Sequence, residues 1–441
     1  MQGENSSSNR LLSILGVTFG LAVIVGNTIG AGILRTPGDI AAHLPNFWAF
    51  MGVWVVGGIY ALLGSNALAE LGAMLPRTGG QYVFARHALG TYAGFIVGWS
   101  DWLSTCGSAA AISIVIGEYS TDLLPSLKGM TVPIALVALF LFALVQWRGM
   151  RWGSRSQELT SLLKALAFIL LIAACFVAFR RSPLDQPAVR TDSSSMLLAI
   201  VLSLQAIIYT YDGWSGVIYF SEEVKDPGRD IPRSIFGGVA AVMVIYLLVN
   251  IGFLMVVPLA KIAHQPFAAG VVANEIFGPA GNVVIRLIVV VSMLSAVNAC
   301  LLMATRVLFA MSRDGLFTER VARVNAGGTP APALLVSLIV AVAFALSGTF
   351  DRVIALLAFF FIANYALSFV SLFVLRAREP QRPRPFRAWG HPWTTGLALA
   401  ASVAFLIGAA ASDTRNTLWS LVLLAASFPV YLLMRRHIAA K

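Results

Sequence analysis

Gly26-Asn27-Thr28-Ile29-Gly30-Ala31-Gly32-Ile33-Leu34 lies within the first apolar run of the chain, Leu11 to Leu34, and interrupts it. Gly26, Gly30 and Gly32 fall within seven residues, and each costs a helix about 1 kcal/mol relative to alanine. In hydrocarbon an unpaired backbone N–H or C=O is expensive. Such a break is tolerated where it lines a cavity or meets a ligand. The N–H groups that open the next half-helix suit an anionic group such as a carboxylate. Close helix packing through small residues also accounts for the glycines taken alone.

The sixth apolar run carries a second interruption, Tyr209-Thr210-Tyr211-Asp212-Gly213-Trp214-Ser215-Gly216, with a carboxylate near its middle. Breaks five helices apart are the arrangement expected of two five-helix inverted repeats with a site between them at the bilayer midplane. The two segments share no evident residue identity, so the repeat rests on their placement.

Around these breaks the whole chain is apolar. Of 441 residues 58% are hydrophobic and only 12% charged, against about 25% charged in soluble domains; the mean hydropathy is +0.81. So few polar groups cannot cover a water-soluble globule of this size. The formal charge of +11 follows from basic residues kept in cytoplasmic loops. No basic stretch interleaved with aromatics points to nucleic acid. Cys106, Cys175 and Cys300 all fall in apolar runs without metal-ligand or redox spacing, the setting of buried free thiols. The polar Met1 to Arg10 and the broken run after it do not resemble a cleavable signal.

Twelve membrane segments are expected, near 11–38, 46–74, 82–117, 130–147, 156–179, 195–222, 233–258, 281–312, 331–349, 352–376, 393–411 and 416–434. With the N-terminus cytoplasmic, the inside stretches hold Arg148, Arg151 and Arg155, then Arg376, Arg378, Arg382, Arg384 and Arg387, among others. The outside stretches hold scattered residues such as Lys128 and Lys261. Lys and Arg favour the inside by about two to one, which places both termini in the cytoplasm. The expected division is a tail at 1–10, five-helix repeats at 11–180 and 195–376, a basic Pro-rich cytoplasmic linker at 377–392, two appended helices at 393–435 and a tail at 436–441. Four prolines between Pro380 and Pro392 keep that linker from being helical throughout.

Several motifs occur in an order that resembles the amino acid–polyamine–organocation transporter superfamily, and within it the L-type amino acid transporter-like branch. They are Gly30-Ala31-Gly32-Ile33, then Glu70-Leu71 and Pro76-Arg77-Thr78-Gly79-Gly80-Gln81-Tyr82. Tyr211-Asp212-Gly213-Trp214 follows, running into Glu222-Glu223-Val224-Lys225-Asp226-Pro227 and Ile231-Pro232-Arg233. Last come Ala304-Thr305-Arg306, Ala310-Met311-Ser312-Arg313-Asp314-Gly315 and Thr329-Pro330. Each is weak alone; in this order, over residues 11–335, they are specific.

The resemblance implies an all-α polytopic membrane protein of LeuT-like fold, with a 5+5 inverted repeat, discontinuous helices one and six and two appended helices. It places a substrate carboxylate on N–H groups at Ile29, Gly30, Ala31 and Gly32. It places an α-amino group on carbonyls of Tyr209 and Thr210, with Asp212 and Ser215 beside it. Ala31 departs from the commoner serine and offers an N–H without a hydroxyl. Tyr209 falls where relatives close an aromatic over the substrate. The resemblance also implies a lysine, Lys164, where sodium-coupled relatives hold an ion, with Tyr246 as its polar partner. Animal L-type transporters join a glycoprotein through a cysteine between spans three and four; Tyr119 to Met130 contains none, so no disulfide-linked heavy subunit is expected.

Lys164 stands out without any resemblance. It lies nine residues after Arg155, about 13 Å into the helix, where a lysine is costly unless it snorkels or is paired. Asp101, mid-way along the third segment, is either a proton-coupling carboxylate or the partner of a buried donor. Asn298 and Asn364 fit helix-bridging amides, and Glu222 and Glu223 a salt-bridged inner end of the sixth segment. The five histidines lie near segment ends or in loops, which argues against a catalytic or metal centre at membrane depth; no cofactor is implied. No filter-like ring suggests a channel. The expected function is sodium-independent exchange of L-amino acids, neutral ones first, across the bacterial inner membrane. Proton-coupled symport or a non-transporting sensor on the same fold are the alternatives.

Overall fold

The computed structural model describes residues 11–44, 46–184, 195–347, 350–412 and 414–439; the N-terminal tail 1–10 lies outside them. The described chain is helical. The first span is a bent pair, α1 (Val17–Thr28) and α2 (Gly32–His43), with an angle of 45° at the break. There follow α3 (Phe47–Met74), α4 (Gln81–Leu89), α5 (Thr91–Leu123), α6 (Thr131–Trp147), α7 (Met150–Val177) and α8 (Met196–Tyr211). A 3-10 stretch, Gly216–Phe220, finishes the sixth span. Then come α9 (Pro227–Val256), α10 (Leu259–Ile262), α11 (Ala268–Phe277) and α12 (Gly281–Arg313). The chain ends with α13 (Ala331–Ser347), α14 (Phe350–Arg378), α15 (Trp393–Ser412), α16 (Thr414–Ala425) and α17 (Ser427–Ala439).

Among the described residues, eight helical segments and the bent pair can cross a membrane by length and composition. The 33-residue α5 and the 17-residue α6 and α13 occupy the other three expected positions. Polar caps set some boundaries. The Asn46 side chain accepts from Ala49 N at 2.9 Å to open α3, and Ser195 Oγ from Leu198 N at 3.2 Å to open α8, which satisfies backbone donors a helix start leaves orphaned.

Two elements differ from the sequence expectation. The third run, 82–117, is not one long helix: Gly90, at φ +98, ends α4 and starts α5. Only glycine adopts that conformation cheaply. The turn lays α4 against α5 so closely that a Cβ at Gly94 would sit 2.5 Å from Arg86 Cβ. The connection after the seventh span also folds into α10 and α11, and α11 packs against α12 and α2.

The stretch 377–392, expected as a linker, is docked on the bundle. Glu70, fully buried at the end of α3, accepts from Arg376 Nε at 3.0 Å, Arg384 Nε at 3.0 Å and Ala388 N at 2.7 Å. The Asn66 amide mimics a strand partner, accepting from Trp389 N at 2.9 Å and donating to Trp389 O at 2.8 Å. The Trp389 ring stacks on Phe236 of α9 at 4.8 Å. Several donors around one buried carboxylate offset its desolvation.

The same end of the bundle is closed by ion pairs. Leu15 N donates to Glu223 O and Lys225 N to Leu15 O, both at 2.9 Å, tying the start of the first span to the end of the sixth. Glu223 and Arg306, both wholly buried, pair at 3.0 Å, and Glu222 pairs with Arg313 at 2.8 Å. Asp314 takes Arg77 at 2.8 Å, Tyr82 Oη at 3.0 Å and Arg86. Partial burial pushes the Asp314 carboxyl up, but the hydrogen bond and charge of Arg77 and the charge of Arg86 outweigh it and hold the group below the usual range.

Candidate functional site

At the first break α1 ends on Ile29, whose ψ of 101° is extended. The first bonds closed in α2 run from Leu34 N and Arg35 N to Ala31 O, at 3.2 and 3.1 Å. The N–H groups of Gly30, Ala31 and Gly32 precede that turn, and all three residues line a cavity of about 120 Å³. The positive end of α2 therefore faces this space.

Side chains take over the carbonyls that the break releases. Lys164 Nζ, on α7 and fully buried, donates to Gly26 O at 2.6 Å and to Ile29 O. Ser295 Oγ donates to Gly26 O at 3.3 Å and Ser292 Oγ to Ile29 O at 3.2 Å. Tyr246 does not bond the Lys164 ammonium, contrary to expectation. Its hydroxyl donates to Thr28 O at 2.8 Å and Thr210 O at 2.9 Å, stapling the two breaks together. Ile29 is buried behind the break, so only its neighbours reach the cavity.

At the second break α8 stops at Tyr211, and Asp212 leaves the helix at φ −58, ψ 147. Gly213 turns the chain at φ +111, with room for no side chain: a Cβ would sit 2.8 Å from Asn27 Nδ2 and 2.9 Å from Thr28 N. Tyr209, Thr210, Asp212 and Ser215 line the same cavity as Gly30 to Gly32. Tyr209 O accepts from Asp212 N at 3.1 Å, and Thr210 O from Tyr246. The negative end of α8 thus faces the cavity opposite the positive end of α2, an arrangement that suits a zwitterion.

Asp212 Oδ1 accepts from Tyr365 Oη at 2.7 Å, and Ser215 Oγ lies 3.2 Å from the same hydroxyl. Trp214 stacks on the Tyr365 ring at 4.7 Å. Asp101 also lines the cavity. Its Oδ1 accepts from Tyr219 Oη at 2.8 Å, while its Oδ2 has no hydrogen-bond partner among the described residues.

Asn298 is the helix bridge it was expected to be: it accepts from Gln146 Nε2 at 2.9 Å and donates to Gln157 Oε1 at 2.9 Å. Asn364 is a bridge too, accepting from Ser100 Oγ of α5 at 3.0 Å, and it also lines the cavity, as do Tyr365, Tyr219 and Gln81. Adjacent polar residues, Asn364 and Tyr365, in the middle of an apolar run were the available signal. Without the helix's rotation, sequence does not tell which way they point.

Two broken helices meeting at a mid-bundle cavity, within a bundle of membrane-length helices, define a polytopic transporter of LeuT-like fold. A family model described as amino acid permease matches residues 11–431, and the chain belongs to that family, whose members are transporters rather than enzymes. Within it the chain is an L-type amino acid transporter-like permease of the amino acid–polyamine–organocation superfamily. It is 27% identical to the serine/threonine exchanger SteT of Bacillus subtilis (strain 168), over 99% of this chain and 100% of that protein. It is 25% identical to the b(0,+)-type amino acid transporter 1 of Oryctolagus cuniculus, over 88% of this chain and 81% of that one. It is 24% identical to the human large neutral amino acids transporter small subunit 2, over 90% of this chain and 80% of that one. The chain is a membrane transporter of amino acids.

Proposed function

We propose that this permease exchanges L-amino acids, neutral ones by preference, without sodium, in the bacterial plasma membrane with both termini in the cytoplasm. The observation that carries sodium independence is the Lys164 ammonium on the Gly26 and Ile29 carbonyls. A fixed cation already holds the acceptors that a bound sodium ion would need. In this proposal the substrate carboxylate lies on the N–H groups of Gly30, Ala31 and Gly32. Its ammonium lies at the Tyr209 and Thr210 carbonyls beside Asp212 and Ser215, and Tyr209 closes over it. The relatives named as an exchanger of serine and threonine and as a transporter of large neutral amino acids support the exchange mode and the neutral class. The connection Tyr119 to Met130 holds no cysteine, so the proposal includes no disulfide-linked subunit.

The test is uptake of labelled L-amino acids into proteoliposomes that are empty or preloaded with amino acid, in choline or sodium buffer. Uptake only into preloaded vesicles, equal in both buffers, is expected; stimulation by sodium at fixed pH would refute the proposal. Lys164→Ala should reduce exchange by at least about tenfold, since it takes a donor from the Gly26 and Ile29 carbonyls at the first break, and a buried acceptor left unsatisfied costs about 1–3 kcal/mol. A second mode, proton symport, is favoured by Asp101, a buried carboxylate residue that lines the cavity. It requires uptake into empty vesicles driven by an inward proton gradient. No uptake in either arm, with L-amino acid binding retained, favours a sensor.

A further inference from the structure

Where α6 turns into α7 the chain gathers cations that the fold does not use. Trp147 ends α6, Arg148 follows it, and Arg151, Trp152 and Arg155 stand in the first two turns of α7. All five are exposed. None of the three guanidinium groups has an ion pair or hydrogen bond among the described residues, and the first turn of α7 holds no acidic residue. At the same end of the bundle Arg77, Arg306, Arg313, Arg376 and Arg384 are each taken by a carboxylate. The preference of basic residues for one side of a membrane accounts for arginines at this end. It does not account for their convergence with two exposed tryptophans.

The base of the cluster is fixed. Met150 N donates to Gly327 O at 2.8 Å, Asn325 Nδ2 to Trp147 O at 2.6 Å and Thr329 Oγ1 to Gln146 O at 2.8 Å. Arg151 and Arg155 are neighbours on one face of α7, and the exposed Leu159, Leu162, Leu166 and Ile169 continue that face. Leu159 to Val177 covers about 27 Å at 1.5 Å per residue, close to the roughly 30 Å of a hydrocarbon core. That sets Arg155 and Arg151 at headgroup depth, where exposed tryptophan also settles. On α6 the exposed Val137, Leu141 and Leu144 lead to the same corner. Two lipid-facing apolar surfaces thus end on one group of cations. From this geometry we propose that Arg148, Arg151 and Arg155 bind the phosphate of an anionic phospholipid, whose acyl chains lie along the exposed faces of α6 and α7.

Guanidinium groups meet phosphate oxygens two at a time. A zwitterionic headgroup carries its own ammonium, which opposes three arginines; an anionic headgroup does not. Free phosphate has the charge but nothing to cover the apolar faces. None of these residues lines the mid-bundle cavity, so the inference is independent of the amino acid carried.

The experiment titrates full-length protein, solubilised in an uncharged detergent, with phosphatidylglycerol, with phosphatidylcholine of the same chains, and with inorganic phosphate. Melting temperature reads stabilisation, and native mass spectrometry reads retained lipid. Phosphatidylglycerol alone is expected to raise the melting temperature saturably and to stay bound. The triple variant Arg148→Gln, Arg151→Gln, Arg155→Gln should bind it at least about tenfold more weakly, since each arginine near an anionic surface is worth several-fold in affinity. Lysine at all three positions keeps the charge but loses the two-pronged contact, and should fall between. An unchanged melting temperature without lipid shows that the variants are folded. Arg229→Gln with Arg233→Gln, which removes two exposed arginines at the start of α9, should leave binding close to wild type. Equal loss in that control would mean diffuse surface attraction and overturn the site, as would binding unchanged in the glutamine variant. Phosphatidylcholine binding as tightly as phosphatidylglycerol would overturn the preference for an anionic headgroup. Inorganic phosphate giving the full shift would overturn the lipid as occupant.

Discussion

At the scale of single residues, buried charges in this protein meet fixed partners. Arg306 and Glu223 form a wholly buried pair, and removing one member of such a pair costs about 3–5 kcal/mol because the other is left charged and unpaired. Arg306→Met should therefore lower the melting temperature of the solubilised protein strongly. The double variant Arg306→Met with Glu223→Leu should recover most of the loss. A double variant no more stable than the single would mean that the pair's other contacts, such as Met150 Sδ beside Arg306, carry the stability. Lys164 was legible from its depth in an apolar helix, since such a group must find partners. Its partners were not, because they are backbone carbonyls, and those become available only once the first span has broken. Tyr246 misled for the same reason: its hydroxyl bonds the carbonyls of the breaks themselves.

At the scale of elements, the two broken spans were legible because glycine clusters in hydrocarbon leave few explanations. The break between α4 and α5 was not, since a lone Gly90 in an apolar run carries little signal until its φ of +98 is known. The docking of 377–392 was equally hidden: prolines and arginines look solvated until Glu70 is seen beneath them. Gly213 offers the sharpest element-scale test. An alanine there must adopt φ +111 and place its Cβ under 3 Å from the first break. Gly213→Ala should abolish exchange while other glycine-to-alanine changes in open positions, such as Gly52, where nothing lies within 4 Å, leave it near wild type. The cluster around Asp314 gives a pH test. Its carboxyl is held below the usual range, so its contribution is complete above the unfolded value of about 3.9 and is lost only as pH falls through the lower folded value. The melting-temperature difference between wild type and Asp314→Asn should be flat from pH 5 to 8 and shrink below about pH 4.

At the scale of the whole molecule, the proposed orientation rests on charge placement, and the fold supplies a clean way to test it. Lys128 and Arg151 are exposed at opposite ends of α6: Lys128 in the short connection before it, Arg151 in the first turn of α7. The three native cysteines are buried, so a membrane-impermeant maleimide should react with an introduced thiol in preference to the native ones. With Arg151 in a cytoplasmic stretch and Lys128 outside, Lys128→Cys should label in intact cells and Arg151→Cys only after permeabilisation or in inside-out vesicles. Neither change touches the cavity, so exchange activity can verify that each variant is assembled. The opposite labelling pattern would turn the molecule over and expose Glu70, Asp314 and the docked 377–392 stretch to the outside. Labelling of both from one side would require α6, at 17 residues, not to cross the bilayer. That length spans about 25 Å at 1.5 Å per residue, short of the roughly 30 Å hydrocarbon core. The expected single-sided labelling therefore also tests whether the loop residues flanking α6 complete the span.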